Sequence, residues 1–179
     1  LLDEQDMGGQ AALADYERIT QAGAATLTLK DGRFAWISGD EAKARYRSVD
    51  GVELPAAAYG PLDVLSLATA TDAKHIRFEL AFAVSASRRA GAPFSTESVI
   101  AIEGVLQSGE RTTRTYEVVH PQGQAPLTAL GVALATERAL GLVGGEALKP
   151  GLYFPDGIVD PAYYVARMKE FGAVFTEKK

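Results

Sequence analysis

No cysteine occurs among the 179 residues of the chain. This excludes disulfides, thiolate nucleophiles, iron–sulfur clusters and cysteine zinc sites, so the core is held by packing alone. Histidine is nearly as scarce: His75 and His120 are the two present, and two isolated imidazoles lack metal-ligand spacing. No metal is expected. No stretch approaches the ~20 consecutive apolar residues of a membrane-spanning helix. The first ten residues, LLDEQDMGGQ, are acidic where a secretory signal would be basic. Lysine and arginine are scattered and the formal net charge is −5, whereas binding a phosphate backbone requires concentrated positive charge. The expectation is a soluble, cytoplasmic chain with neither nucleic acid nor membrane as partner. The chain opens on Leu1 rather than Met and enters helical pattern almost at once, which suggests a cut start.

Glycine motifs are missing as well. A dinucleotide site needs Gly-x-Gly-x-x-Gly between a strand and a helix, so that the backbone can approach a pyrophosphate. Gly8-Gly9 and Gly144-Gly145 are the only adjacent glycine pairs, and neither has that setting. A Gly-Lys-Ser/Thr phosphate loop is absent too. The chain therefore carries no cofactor motif of its own.

What is present is a pattern of strands and helices. Ile76, Phe78, Leu80, Phe82 and Val84 alternate with smaller or polar residues, the period of a strand with one buried face. Glu97 to Gln107 and Arg111 to Val119 read as a hairpin around Ser108-Gly109. The first of these strands carries apolar residues on both faces and is expected at the centre of the sheet. Thr26 to Lys30 and Arg33 to Ser38 flank Asp31-Gly32, a pair suited to the positive φ angles of a tight hairpin turn. A smaller hairpin, Val49 to Leu54, is expected around Asp50-Gly51, with an Ala-rich loop between Pro55 and Pro61.

Helices are expected at Gly9 to Gln21, with Leu13, Tyr16 and Ile19 on one stripe and a stop at Gly23. A short one over Val64 to Ala70 is N-capped by Asp63. A third runs from Ala125 to Leu142, with Pro126 in its first turn and Gly144-Gly145 as its stop. It directs Leu127, Leu130, Ala133 and Leu134 to the sheet, and Gly131 permits close approach. The last spans Ala162 to Phe171, N-capped at Asp160, ended by Gly172 and followed by an edge strand at Ala173 to Phe175. Together these predict an α/β (α+β) fold: a mixed, largely antiparallel sheet with helices on one face, in a single domain over 1–179, with 150–179 as a C-terminal helical appendage. At this length ~70 % of the unfolded surface can be buried. Residues Gly144 to Gly151 are the expected hinge.

Several of these stretches together resemble the C-terminal domain of saccharopine dehydrogenase-like oxidoreductases. They are the helix and hairpin Gly9 to Phe34 with Lys30-Asp31-Gly32-Arg33, the segment Gly60-Pro61-Leu62-Asp63-Val64, Thr71 to Phe82, Ile102-Glu103-Gly104, and Leu127 to Leu142. In that family a Rossmann domain binds NAD(P), and the C-terminal domain shapes the substrate pocket and often the dimer interface. The resemblance implies that this chain is a substrate-binding and association part, not catalytic alone. NAD(P) is then expected on a Rossmann domain or subunit outside it, and the assembly is expected to be a homo-oligomer. The alternatives are a non-catalytic small-molecule binding protein and a structural assembly subunit.

Among candidate site residues, His120 lies where a strand gives way to a helix, an edge of α/β sheets where ligands bind. With Gln122 and Gln124 it is suited to a small polar substrate, either by hydrogen bonding or by proton exchange near neutral pH. Against this stands an ordinary strand-end histidine. Arg88 and Arg89, with Ser85, Ser87 and Ser95, suit a carboxylate or phosphate, or form a solvated turn. Glu97, Glu103 and Glu117 are expected to pair with Arg111 and Arg114 across the hairpin. Tyr153, Phe154, Tyr163, Tyr164 and Phe171 either pack the last helix or cover a partner. A pocket at His120 and Arg88 favours ligand binding, whereas a large exposed apolar face favours association.

Overall fold

The computed structural model describes residues 1–6, 8–11, 13–14, 18 and 25–178. It is a mixed α/β fold in two compact units, Leu1–Val84 and Ser85–Lys179. The one sheet expected is instead four small ones, three antiparallel and one a two-residue parallel pair. Among the described residues no helix is long and apolar enough to cross a membrane.

In the first unit, residues 10, 11, 13, 14 and 18 of the expected first helix are helical. Tyr16, Ile19 and the Gly23 stop lie outside the described residues. The hairpin of β2 (Thr26–Lys30) and β3 (Arg33–Ile37) forms as predicted. Its turn has φ of 51° at Asp31 and 72° at Gly32, the left-handed pair a two-residue turn between twisted strands requires. A second hairpin pairs β4 (Lys43–Arg47) with β5 (Glu53–Ala58). It is longer than the 49–54 expected, and the loop expected after Pro55 is strand. Proline is tolerated there because β6 (Glu79–Leu80) pairs only with Ala57 and Ala58, leaving the strand at Pro55 an edge on that side.

Two further expectations fail in this unit. Ile76 to Val84 is not one strand with one buried face. Its backbone is divided among three partners: Ile76 bridges Leu29, β6 pairs with β5, and β7 (Phe82–Ala83) pairs in parallel with β1 (Leu2–Asp3). The chain bends between them, and alternation is lost: Ala81 is buried and Phe82 exposed. The 61–70 helix starts at Pro61, so Asp63 lies in its first turn and not at the N-cap. The N-cap is Gly60 at φ 72°, where a Cβ would stand 2.3 Å from Asp63 Oδ2. The core gathers Leu27 and Leu29 of β2, Val64 of the helix, and Ile76, with Ala68 and Phe78 against it.

The second unit is built on β8 (Thr96–Val105), β9 (Arg111–His120) and β10 (Val174–Lys178). Leu106 donates its N–H to the Glu110 carbonyl at 2.8 Å and accepts from Gly109 N at 2.8 Å, closing the hairpin at the predicted place. The order is β10-β9-β8. Thus β9 is central and β8 is an edge, contrary to expectation. The apolar residues on both faces of β8 reflect exposure where burial was predicted. β10 forms the expected edge strand, so residues from the expected 150–179 appendage belong to this sheet.

The long helix spans Ala125–Ala139 and ends before the expected Leu142. Gly141 at φ 71° makes the turn, and a Cβ there would strike the Ala147 amide nitrogen, so the glycine that ends the helix is Gly141, ahead of the 144–145 pair. Leu130 and Leu134 are buried as predicted, while Ala133 is exposed. The helix packs against the Pro155–Ile158 turn and the Pro161–Glu170 helix. Gly131 serves the latter approach, lying under the Tyr164 hydroxyl. Asp160 caps the last helix, its Oδ1 accepting Tyr163 N–H at 2.7 Å.

Candidate functional site

His120 ends β9 opposite Thr96 and is 1 % exposed. Nδ1 accepts the Gln122 N–H at 3.3 Å, and Nε2 lies 3.0 Å from the Phe171 carbonyl oxygen. An acceptor role at Nδ1 fixes the tautomer with hydrogen on Nε2, which then donates to Phe171. Both ring nitrogens are engaged within the protein. His120 is a buried tie between the end of β9 and the end of the 161–170 helix.

Gln122 lies on the surface beside it and lines a groove of about 400 Å³ with Pro126, Ala129, Leu130, Ala133 and Phe171. Gln124 is turned to its own helix, its amide donating to Thr128 Oγ1. Of the predicted trio, then, one residue faces a groove. Among the described residues its lining is apolar apart from Gln122 and includes no charged side chain.

Arg88 and Arg89 form the end of a one-turn helix, Ala86–Arg89, and do not line the groove beside Gln122. Beneath this turn the serines are spent on one another. Ser95 N–H donates to Ser85 Oγ at 3.2 Å, Ser87 Oγ donates to Ser95 Oγ at 2.8 Å, and both Ser85 and Ser95 are buried. The buried carboxylate of Glu97 accepts Ala86 N–H at 2.6 Å. This arrangement satisfies polar groups at the two buried ends of the loop, Ser85 and Ser95.

The predicted carboxylate pairing across the hairpin is replaced by pairing on the other side of β9. Arg114 binds Glu177 at 2.6 Å, and Lys178 binds the buried Glu117, both across to β10. The central position of β9 is the reason, since β10 brings its own charges beside it.

A second groove, of about 230 Å³, is lined by Leu134, Val143, Ile158 and Val159 together with Arg138 and Tyr163. Arg138 Nη1 donates to the Glu146 carbonyl at 2.9 Å, and the Tyr163 hydroxyl to Glu137 Oε2 at 3.3 Å. Partial burial, and then the Glu137 charge, raise the Tyr163 phenol above its ordinary pKa. Among the described residues no group of three or more potential ligands could hold a metal. His75 is exposed, as predicted, beside Asp31.

The exposed apolar surface at Phe34 and Trp36, and along β8, is the feature that sequence reasoning missed. In the first unit Phe34 and Trp36 stand opposite Leu29 and Leu27, hence on the same face of the hairpin. The leucines are buried, yet Phe34 is 53 % and Trp36 66 % exposed. Leu62, Leu65 and Leu67 of the neighbouring helix are exposed too. In the second unit every residue from Ile100 to Leu106 is exposed. Of the aromatic group near the C-terminus, Tyr153, Phe154 and Phe171 are exposed, and Tyr163 and Tyr164 half-buried. The alternation Phe34-Ala35-Trp36 was the available signal for the hairpin face, but alternation alone does not say which residues a partner covers.

No protein-family model matches the chain, and no curated protein matches it.

Proposed function

We propose that the chain is an association domain, the substrate-binding and association part of a saccharopine dehydrogenase-like NAD(P)-dependent oxidoreductase whose cofactor half lies outside these 179 residues. The observation that carries the reading is the exposed Phe34–Trp36 face, continuous in register with the buried Leu27 and Leu29. Large aromatic side chains on a sheet face are costly to leave in water and mark a surface that a partner covers. Both ring nitrogens of His120 are engaged within the protein, which weighs against hydrogen bonding or proton exchange with a substrate at that residue. In this reading NAD(P) sits on a Rossmann domain or subunit, a small polar substrate is shared with it, the assembly is homo-oligomeric and the setting is cytoplasmic.

The test is the intact mass of the native polypeptide with its stoichiometric partners, followed by NADPH and NADH titration of that material and of the 179-residue chain. The proposal expects nucleotide binding by the native assembly and none by the chain alone. A native polypeptide no longer than this chain, with no stoichiometric partner and no nucleotide binding, contradicts it.

The groove beside Gln122 supports a second reading, a non-catalytic binder of small molecules with an apolar body and one amide-recognised group. Thermal-shift screening of the chain against such compounds tests it, with Gln122→Ala as the control.

A further inference from the structure

The hydrogen bonding of the β8–β9 hairpin fixes which backbone groups of β8 are unspent. Leu106 is bonded to Glu110, and antiparallel pairs alternate between bonded and non-bonded. From the register, Gly104↔Thr112, Ile102↔Arg114 and Ile100↔Tyr116 are then the bonded pairs. Val99, Ala101, Glu103 and Val105 therefore aim their N–H and C=O groups away from β9. No strand lies on that side among the described residues.

This edge lacks the devices that keep edges apart. The strand is ten residues long and contains no proline, lysine or arginine. Glu103 is its only charge over 99–105. Ile102 is 54 % and Val105 64 % exposed, one on each face. Long, exposed, apolar edges are templates for another strand.

We infer that β8 pairs antiparallel with β8 of a second copy of this chain, joining two three-stranded sheets into one. This rests on the association reading above but uses a different surface. The charge pattern of β8 suits a second copy of itself. A two-fold axis through Ala101 places Ile100 against the partner copy's Ile102 twice, Glu103 against Val99 and Glu97 against Val105, so no two carboxylates stand directly opposite one another. An isologous pairing of this kind closes on itself and uses up both edges. Pairing of β8 with the β10 edge of another copy would instead be heterologous, leaving a free edge at each end unless a ring closes. A contact made chiefly by one strand from each copy is small for a stable interface, so the dimer is concentration-dependent.

The experiment is sedimentation velocity over a concentration series on the full chain and on Ala101→Pro, with amide hydrogen exchange on the unsubstituted chain. Proline at 101 removes an outward N–H and leaves the β9 bonds intact. The expected result is a monomer–dimer equilibrium weakened by more than ~10-fold in the variant. In hydrogen exchange, protection at Val99, Ala101, Glu103 and Val105 rises with concentration, while Ile100, Ile102 and Gly104 are protected throughout. If the variant fails to fold, the exchange pattern decides alone. A monomer at every concentration, an open-ended polymer, or a dimer whose odd-numbered amides stay unprotected overturns the inference. Any of these leaves the Phe34–Trp36 face to be judged separately by its protection in the native assembly.

Discussion

His120 Nε2 stands 3.0 Å from the carbonyl oxygen of Phe171, joining the last residue of β9 to the residue after the 161–170 helix. The ring's other nitrogen is held by Gln122 N–H. Removing the ring leaves two backbone groups without their partner and a cavity in a closed site. His120→Ala is expected to cost roughly 2–4 kcal/mol, measured by denaturant unfolding. A loss below ~0.5 kcal/mol would show that the tie carries no weight.

Two glycines with similar positive φ should respond differently to alanine. Gly109, at 87°, has open space around its missing Cβ, so Gly109→Ala costs only the backbone strain, roughly 1–2 kcal/mol. At Gly141 the added carbon would strike the Ala147 amide nitrogen, and Gly141→Ala should be clearly the more destabilising of the two. Thermal unfolding of both variants compares them, and equal losses would place the Gly141 turn elsewhere.

Glu97 should matter for stability rather than for ligand recognition. Glu97→Ala removes the acceptor for the Ala86 amide in a buried position and is expected to cost roughly 1–3 kcal/mol. Glu97→Gln keeps an oxygen there and should cost less. Urea midpoints of the pair, read against an unchanged m-value, check the order.

Asp63 gives a pH signature. Partial burial raises its carboxyl above the ordinary 3.8, opposed by a smaller backbone hydrogen-bond effect. The folded chain thus holds this proton more tightly than the unfolded chain, and its contribution to stability falls as pH rises from 3.8 through the folded value. Asp63→Asn removes that titration. Relative to the variant, the unsubstituted chain should lose stability on going from acid to neutral pH; a gain would reverse the assigned cause.

Local chemistry made much of this structure legible in advance. Asp31-Gly32, Ser108-Gly109 and Asp160-Pro161 each dictate a turn or a cap within four residues, and each stands where predicted. Failures came where distant partners decide. The 76–84 run alternates like one strand, yet Leu29, β5 and β1 each take a piece of its backbone. β8 reads as central because its sequence is apolar on both faces, and sequence does not reveal that β10 occupies the other side of β9. At the candidate site, the position of His120 at a strand–helix junction was legible. Its engagement depends on Phe171, 51 residues away.

The association reading stands or falls on whether Trp36 is covered. Hydroxyl-radical footprinting with mass spectrometry, applied to the 179-residue chain and to the native assembly, reads Phe34 and Trp36 directly. The account predicts heavy labelling of both rings in the chain alone and strong protection in the assembly. Equal labelling in the two samples would contradict it.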